Sequence, residues 1–310
     1  MKKFLISIDT EGDDLWSWKP GQEISTENAK YLPRFQNLCE KYGFKPTYLT
    51  NYEMALSPEF QRFAKAHLVD NSCEVGMHLH AWNSPPLAEL PKAENSNSPY
   101  LIEYAPEVME AKIAYITRLL QDEFQTEILS HRAGRWATNQ TYFDLLSKYG
   151  YRVDCSVTPG MNWSHNPGQS PNSSGSDYSG APTAPYFPAE NLVELPVTIR
   201  KRRDIFQSKS PVGMIYRARH PNMVWLRPRG NNLRQMLWLV ETIGAEKGTD
   251  YIMFMLHSSE MMPGGSPNFK TPEDIESMYK DLEKVFNLAS KVFEGAAIGE
   301  FGTEFLNTQR

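Results

Sequence analysis

The 310-residue sequence has only three cysteines, Cys39, Cys73 and Cys155. They are too few and too scattered for a disulfide framework or a paired-cysteine metal site. It has no apolar run approaching 18 residues, so no segment is expected to cross a membrane as a helix. Met1-Lys2-Lys3-Phe4-Leu5-Ile6 begins in the manner of a secretory leader, but Asp9, Glu11, Asp13 and Asp14 cut the apolar stretch short. A cytoplasmic location is therefore expected. There is no basic excess: 32 Lys and Arg face 37 Asp and Glu, a net charge of −5. That balance argues against a nucleic-acid partner. No internal repeat or heptad is visible, and no G-x-G-x-x-G or P-loop follows the first apolar run.

What remains has the composition of a soluble enzyme, 40% hydrophobic and 22% charged. Short β-rich apolar runs occur at Lys3–Asp9, Phe44–Thr50, Cys73–His80, Glu127–Arg132, Tyr151–Val157, Leu192–Ile199 and Tyr251–His257. Most are apolar on both faces, as parallel strands under helices are. Between them lie helical patterns over Ser25–Tyr42, Glu59–Leu68, Pro106–Gln125, Asn139–Tyr149, Asn232–Glu246 and Pro272–Phe293. The last opens Thr271-Pro272-Glu273-Asp274, with a cap residue, a first-turn proline and acids at the positive end of the helix dipole. This alternation implies a parallel α/β fold. About seven strands suggests a single barrel over residues 1–310, with a doubly wound open sheet as the alternative. Long loops at about 82–104 and 158–188 interrupt the rhythm, and the aromatics of the second favour an ordered lid or substrate wall.

The polar residues are placed informatively. Apolar runs end, or nearly end, on chemically capable side chains: Asp9 and Glu11, His78 and His80, Arg132, Asp154, and His257. In parallel barrels the active site gathers at the C-terminal ends of the strands. His78 and His80, two apart in an extended segment, point to one side. With a carboxylate from the first strand they would form a three-ligand metal site that leaves a position open, the form catalytic zinc takes. Alternatively, one histidine is core and the other surface. Trp82, Trp136 and Trp163 flank these strands and suit stacking on sugar rings, or else fill core. The run Arg200-Lys201-Arg202-Arg203 and the scattered Arg217, Arg219, Arg227, Arg229 and Arg234 are expected on solvated faces, or as a landing place for a phosphate-bearing or lipid-linked sugar.

The strings Ser7-Ile8-Asp9-Thr10-Glu11-Gly12, Gly76-Met77-His78, Arg132-Ala133-Gly134-Arg135-Trp136, Val153-Asp154-Cys155-Ser156 and Leu256-His257 together resemble the polysaccharide deacetylase family, the NodB homology domain of the family 4 carbohydrate esterases. The resemblance spans most of the chain, in the family's motif order. It departs from the family at position 82, where a second histidine is usual and tryptophan stands, so that His80 is the available second imidazole. His80-Ala81-Trp82-Asn83-Ser84-Pro85-Pro86 and Leu256-His257-Ser258-Ser259-Glu260 resemble a subgroup acting in surface-polysaccharide biosynthesis.

The resemblance implies a distorted (β/α)7 barrel that hydrolyses an N-acetyl group on an amino sugar. Asp9 would be the general base, and Arg132 would hold it ionised. Glu11, His78 and His80 would bind a divalent metal, zinc by preference, with Asp13 as the alternative to Glu11. His257 would be the general acid, tuned by Asp154. The expected partner is an N-acetylated saccharide, nucleotide- or lipid-linked, in a cytoplasmic precursor. The rival readings are an amidohydrolase that is metal-free or differently metallated, acting on a small non-sugar amide, and an inactive saccharide-binding barrel.

Overall fold

The structure is a computed structural model that describes residues 1–19, 21–94, 97–203, 210–212 and 222–308. Its centre is a parallel sheet of seven strands, each within or overlapping one of the seven apolar runs: β1 (Lys2–Thr10), β2 (Pro46–Thr50), β3 (Glu74–Leu79), β4 (Ser130–Ala133), β5 (Val153–Asp154), β7 (Leu192–Glu194) and β10 (Tyr251–His257). They stand in the order β10-β1-β2-β3-β4-β5-β7, and β6 (Tyr186–Ala189) extends the edge antiparallel to β7. The strands follow one another in chain order, and the last long parallel strand returns beside the first. A doubly wound sheet would instead reverse its order at a switch point, so the curled-barrel expectation holds and the open-sheet alternative does not.

The ladder is incomplete between β7 and β10. Other hydrogen bonds span this seam: Met253 N–H donates to Thr198 Oγ1 (2.8 Å), Met255 N–H to the Leu226 carbonyl (3.1 Å), and the Tyr251 hydroxyl to the Pro196 carbonyl (2.6 Å). A short antiparallel ribbon, β8 (Ile199–Arg202) with β9 (Asn222–Trp225), lies next to it. The barrel is distorted because side chains and irregular backbone replace a strand pair there.

Helices α1 (Leu32–Lys41), α2 (Tyr52–Ala55), α3 (Pro58–Val69), α4 (Pro106–Phe124), α5 (Gln140–Lys148), α6 (Leu233–Ala245), α7 (Pro272–Ala289) and α8 (Ile298–Thr308) accompany the strands. The Ser25–Tyr42 expectation divides into a 3-10 turn, Glu27–Tyr31, and α1, with Pro33 in the first turn of α1. The Pro272–Phe293 expectation overshoots. α7 stops at Ala289, and Phe293 begins β11 (Phe293–Ala296), which pairs with the first half of β1 while β2 pairs with the second. Of the basic residues, Arg200 pairs with Glu246 at 2.8 Å and Arg202 lies over the Trp238 ring. Arg217 and Arg219 fall outside the described residues. Among the described residues no helix is long and apolar enough to cross a membrane.

One buried cation fixes the loop after β3. Lys112 of α4 is fully buried, and its ammonium donates to the carbonyls of Ala81 (3.0 Å), Ser84 (2.6 Å) and Pro86 (2.7 Å). Three acceptors match its three donors. Lys112→Ala would leave those carbonyls unpaired and is expected to cost roughly 2–4 kcal/mol in urea unfolding. A loss under about 0.5 kcal/mol, the scale of a surface substitution, would show that the clamp does not hold the loop.

Candidate active site

Strand register brings the candidate residues together. β1 and β10 pair so that Asp9 lies opposite His257, and β3 and β4 pair so that His78 lies opposite Arg132. The His78 and His80 rings lie 4.5 Å apart, nearly perpendicular. Glu11 Oε2 is 2.8 Å from His80 Nε2 and 3.4 Å from His78 Nε2. One donor atom from each of the three lies within 4.8 Å of the others, and all three residues are buried.

The hydrogen bonds define which ring nitrogens are available. His78 Nδ1 is 2.9 Å from the Arg132 carbonyl, which only accepts, so Nδ1 carries the proton and a neutral ring turns its Nε2 lone pair toward Glu11. Burial, reinforced by His78, pushes the His80 imidazole down to about 4, which favours its neutral form. Burial would lower His78, but Asp9 and Glu11 outweigh it and raise it. The Glu11 carboxylate, which only accepts, lies at hydrogen-bond distance from His80 Nε2. A cation held by Glu11 and the two Nε2 atoms would take the place of these protons. Two imidazoles and a carboxylate also match the donor set of a divalent metal with an open side. The residues fit such an ion. Asp13 is committed elsewhere: it accepts from the N–H groups of Glu27 (3.0 Å) and Asn28 (2.9 Å), capping the 3-10 turn.

Beside the triad, Arg132 is fully buried. It donates to Asp9 Oδ1 (2.6 Å), Ser7 Oγ (2.9 Å) and the Cys155 carbonyl (3.0 Å). Burial alone would raise the Asp9 carboxyl, but Arg132, then His78 and His257, outweigh it and hold Asp9 below its ordinary value. His257 Nε2 faces Asp9 Oδ2 at 3.7 Å and Glu11 Oε1 at 3.6 Å. Its Nδ1 is 3.1 Å from Glu260 Oε2, which also pairs with Arg227 at 3.0 Å. Burial opposes ionisation of Glu260, but Arg227 and His257 prevail and hold its pKa at about 2.

Asp9, Glu11, His78, His80 and His257 form the floor of a cleft of about 450 Å3, whose walls include Trp16, Trp18, Trp82, Trp136 and Arg135. A larger hollow of about 840 Å3, lined by Lys45, Glu74 and Glu300, contains none of them.

No family model matches the sequence, and no curated protein does. Solved structures do share its architecture. A protein from Mycobacterium smegmatis assigned as a polysaccharide deacetylase superposes with a TM-score of 0.52 at 13% identity, covering 99% of this chain and 91% of its own. The fold is that of the polysaccharide deacetylases. The Xyl-CE4 domain of a multidomain xylanase from the hindgut metagenome of Trinervitermes trinervoides has a TM-score of 0.47 at 8% identity, covering 98% of this chain and 91% of its own. A family 4 acetyl xylan esterase from Clostridium thermocellum, in complex with cobalt, has a TM-score of 0.44 at 14% identity, covering 98% and 91%. At these identities the likeness is one of fold.

Within this deacetylase fold the structure corrects one expected pairing. Asp154 does not reach His257 as a bonded partner. Its carboxylate meets His131 Nδ1 at 2.6 Å and accepts from Ser156 Oγ at 2.7 Å, while Ser156 Oγ accepts from Ala133 N–H at 2.8 Å. Asp154 therefore braces the end of β4, and Glu260 is the carboxylate on His257. The spacing of three in His257-Ser258-Ser259-Glu260 was the available signal. Trp82 and Trp136 line the cleft. Trp163 lies behind it, donating to Thr158 Oγ1 (2.9 Å) and packing on Trp225. Trp16 and Trp18 were missed, although Leu15-Trp16-Ser17-Trp18 directly follows the acid cluster. Trp16 packs edge-on against His257, and Trp18 stacks with Trp82. The 158–188 segment crosses over itself through Trp163 N–H to Ser176 O (3.0 Å) and Tyr178 N–H to Met161 O (2.8 Å), and none of it lines the cleft.

A Cβ on Gly134 would lie 2.6 Å from His80 Nδ1 and 2.6 Å from the Leu79 carbonyl. Gly134→Ala should displace the imidazole and, if Glu11, His78 and His80 hold a divalent metal, weaken its binding by roughly 10–100-fold, with circular dichroism unchanged. Titration with a competing chelator measures this, and an unchanged Kd would remove His80 from the donor set. Glu260 has a depressed pKa, so its ionised pairing stabilises the fold at neutral pH, and that contribution is lost as pH falls from its ordinary 4.5 through about 2. Between pH 6 and pH 2 the wild type should lose roughly 2–3 kcal/mol more than Glu260→Gln in urea unfolding. Parallel pH profiles for the two would contradict the ionised assignment.

Proposed function

We propose that the protein is a metal-dependent N-deacetylase acting on an amino sugar, with residues 1–310 serving as one catalytic domain. One observation carries this reading: a single cleft of the deacetylase fold joins a three-donor metal site, an arginine-paired buried carboxylate and a carboxylate-oriented imidazole. Glu11, His78 and His80 would hold the ion, zinc by preference, which supplies a Lewis acid for the amide carbonyl and lowers the pKa of water. Asp9 accepts the proton of the attacking water at Oδ2, the oxygen that Arg132 leaves free. Arg132 keeps that base ionised. His257 delivers a proton from Nε2 to the departing nitrogen, leaving a neutral ring whose Nδ1–H is oriented by Glu260. The base oxygen and the acid nitrogen face one another at 3.7 Å before substrate enters. Asp154 contributes indirectly by bracing the strand that carries Arg132. Trp82 and Trp136, joined by Trp16 and Trp18, offer faces to the sugar.

The finer reading is a cytoplasmic precursor of a surface polysaccharide, nucleotide- or lipid-linked. It is supported by the likeness of the His80–Pro86 and Leu256–Glu260 strings to enzymes of such pathways.

The purified protein should hold about one zinc by elemental analysis and release acetate from oligomers of N-acetylglucosamine. Complete chelation should abolish release and zinc should restore it. Asp9→Asn and His257→Ala should each lower kcat by roughly 10²–10⁴-fold while retaining metal. Acetate release that survives complete metal removal would sink the mechanism.

A further inference from the structure

The cleft contains one positive charge that its own residues do not neutralise. Arg132 is paired with Asp9 at 2.6 Å and Arg227 with Glu260 at 3.0 Å. Arg135, in the cleft wall between Gly134 and Trp136, has no carboxylate within ion-pairing distance among the described residues. Its terminal nitrogens donate to the carbonyls of Ser98 and, at 3.1 Å, Pro167, and its guanidinium carbon stands 3.9 Å from the centre of the Tyr100 ring. Carbonyls and a ring face satisfy hydrogen-bond geometry but leave the net charge in place. The nearby acid, Glu103, attracts Arg135 without pairing to it; its carboxylate accepts instead from the N–H groups of Tyr100 (2.6 Å), Gln169 (3.1 Å) and Ser170 (2.7 Å).

The backbone points the same way. Arg135 and Trp136 are consecutive non-glycine residues in the left-handed region, with φ of 56° and 63°. Non-glycine residues rarely adopt that region. Gly134 before them is pressed against His80, so the turn cannot relax toward the metal donors. The chain thus accepts strain to place a cation and an indole at the cleft wall.

From this placement we infer that the saccharide substrate is anionic, with a carboxylate or phosphate oxyanion near the N-acyl sugar that docks on Arg135. Arg135 is a specificity residue. A planar guanidinium already fixed by two carbonyls and a ring loses little freedom on meeting an oxyanion. The inference rests on the deacetylase reading for the nature of the sugar, but its test is binding and does not need turnover.

Calorimetry on the zinc-loaded protein would compare three probes: a neutral tetrasaccharide of N-acetylglucosamine, a tetrasaccharide alternating N-acetylglucosamine with glucuronate, and N-acetylglucosamine 1-phosphate. At least one anionic probe should bind roughly tenfold more tightly than the neutral one at low salt, and the advantage should shrink as salt is added. Which anionic probe prevails separates carboxylate from phosphate. Arg135→Gln should remove the advantage while leaving neutral binding within about twofold, and Arg135→Lys should restore part of it. Equal weakening of all probes by Arg135→Gln would reduce Arg135 to a structural tie and overturn the inference. So would a wild type without anionic preference, which decides the matter even if the variant does not fold. Anionic preference without acetate release would uphold this inference and count against the deacetylase reading alone.

Discussion

The site is organised around the buried Arg132–Asp9 pair. A guanidinium with no solvent exposure is stable only if its charge and donors are answered in full, because an uncompensated buried charge costs several kcal/mol. The donors are answered by β1 through Asp9 and Ser7 and by the Cys155 carbonyl just past β5, while Met253 Sδ of β10 lies 3.4 Å away. One planar group therefore references three strand ends to the strand that bears it. The metal donors are tied to the same residue, since His78 bonds the Arg132 carbonyl. Displacing Arg132 would disturb the Asp9 carboxylate and the His78 tautomer together.

A second consequence is electrostatic. Asp9, Glu11 and Glu260 are crowded below one small cleft, and each remains ionised because a cationic group or imidazole faces it. Behind β4 the arrangement is different. Asp154 and Glu194 lie side by side in the interior; burial and Asp154 push the Glu194 carboxyl well up, while His131 helps hold Asp154 down. The two carboxyls therefore titrate as a pair, with Glu194 the harder to ionise.

The sequence made the catalytic face legible because strand ends obey a simple rule: an apolar run marks a buried strand, and the polar residue that ends it is exposed to the cleft. Asp9, His78 and His257 follow that rule, and Glu11 and His80 lie just beyond it, whereas Arg132 ends its run beneath the cleft floor, paired with Asp9. Asp154 follows it too, yet its side chain turns to His131, since period-two alternation does not say which neighbour a buried carboxylate will meet. The elements that escaped notice lack the rule's signature. β8 is built from Ile199-Arg200-Lys201-Arg202, basic enough to look like a solvated face, though Arg200 and Arg202 are satisfied by Glu246 and Trp238. β11 is short and includes Gly295, whose Cβ position would lie 2.3 Å from the Gly43 carbonyl, so the close packing that defines it leaves no apolar pattern to read.

The walls of the cleft are held by a separate set of contacts. Lys112 grips the backbone after His80 through three carbonyls, and Glu53 joins the Gly12 N–H (3.0 Å) to the side chain of Asn83, linking the segment that carries Trp16 and Trp18 to the one that carries Trp82. These clamps arise from α4 and α2, outside the strands that carry the reacting groups. The division has a physical basis. Groups that exchange protons must keep their spacing within tenths of an ångström, which a hydrogen-bonded ladder provides. Side chains at a rim need only present faces and charges, which clamped loops provide. The strained Gly134–Trp136 turn is where the two sets meet, because Gly134 touches the His80 ring while Arg135 and Trp136 face the cleft. A change at this turn would therefore be felt at the His80 ring as well as at the cleft wall.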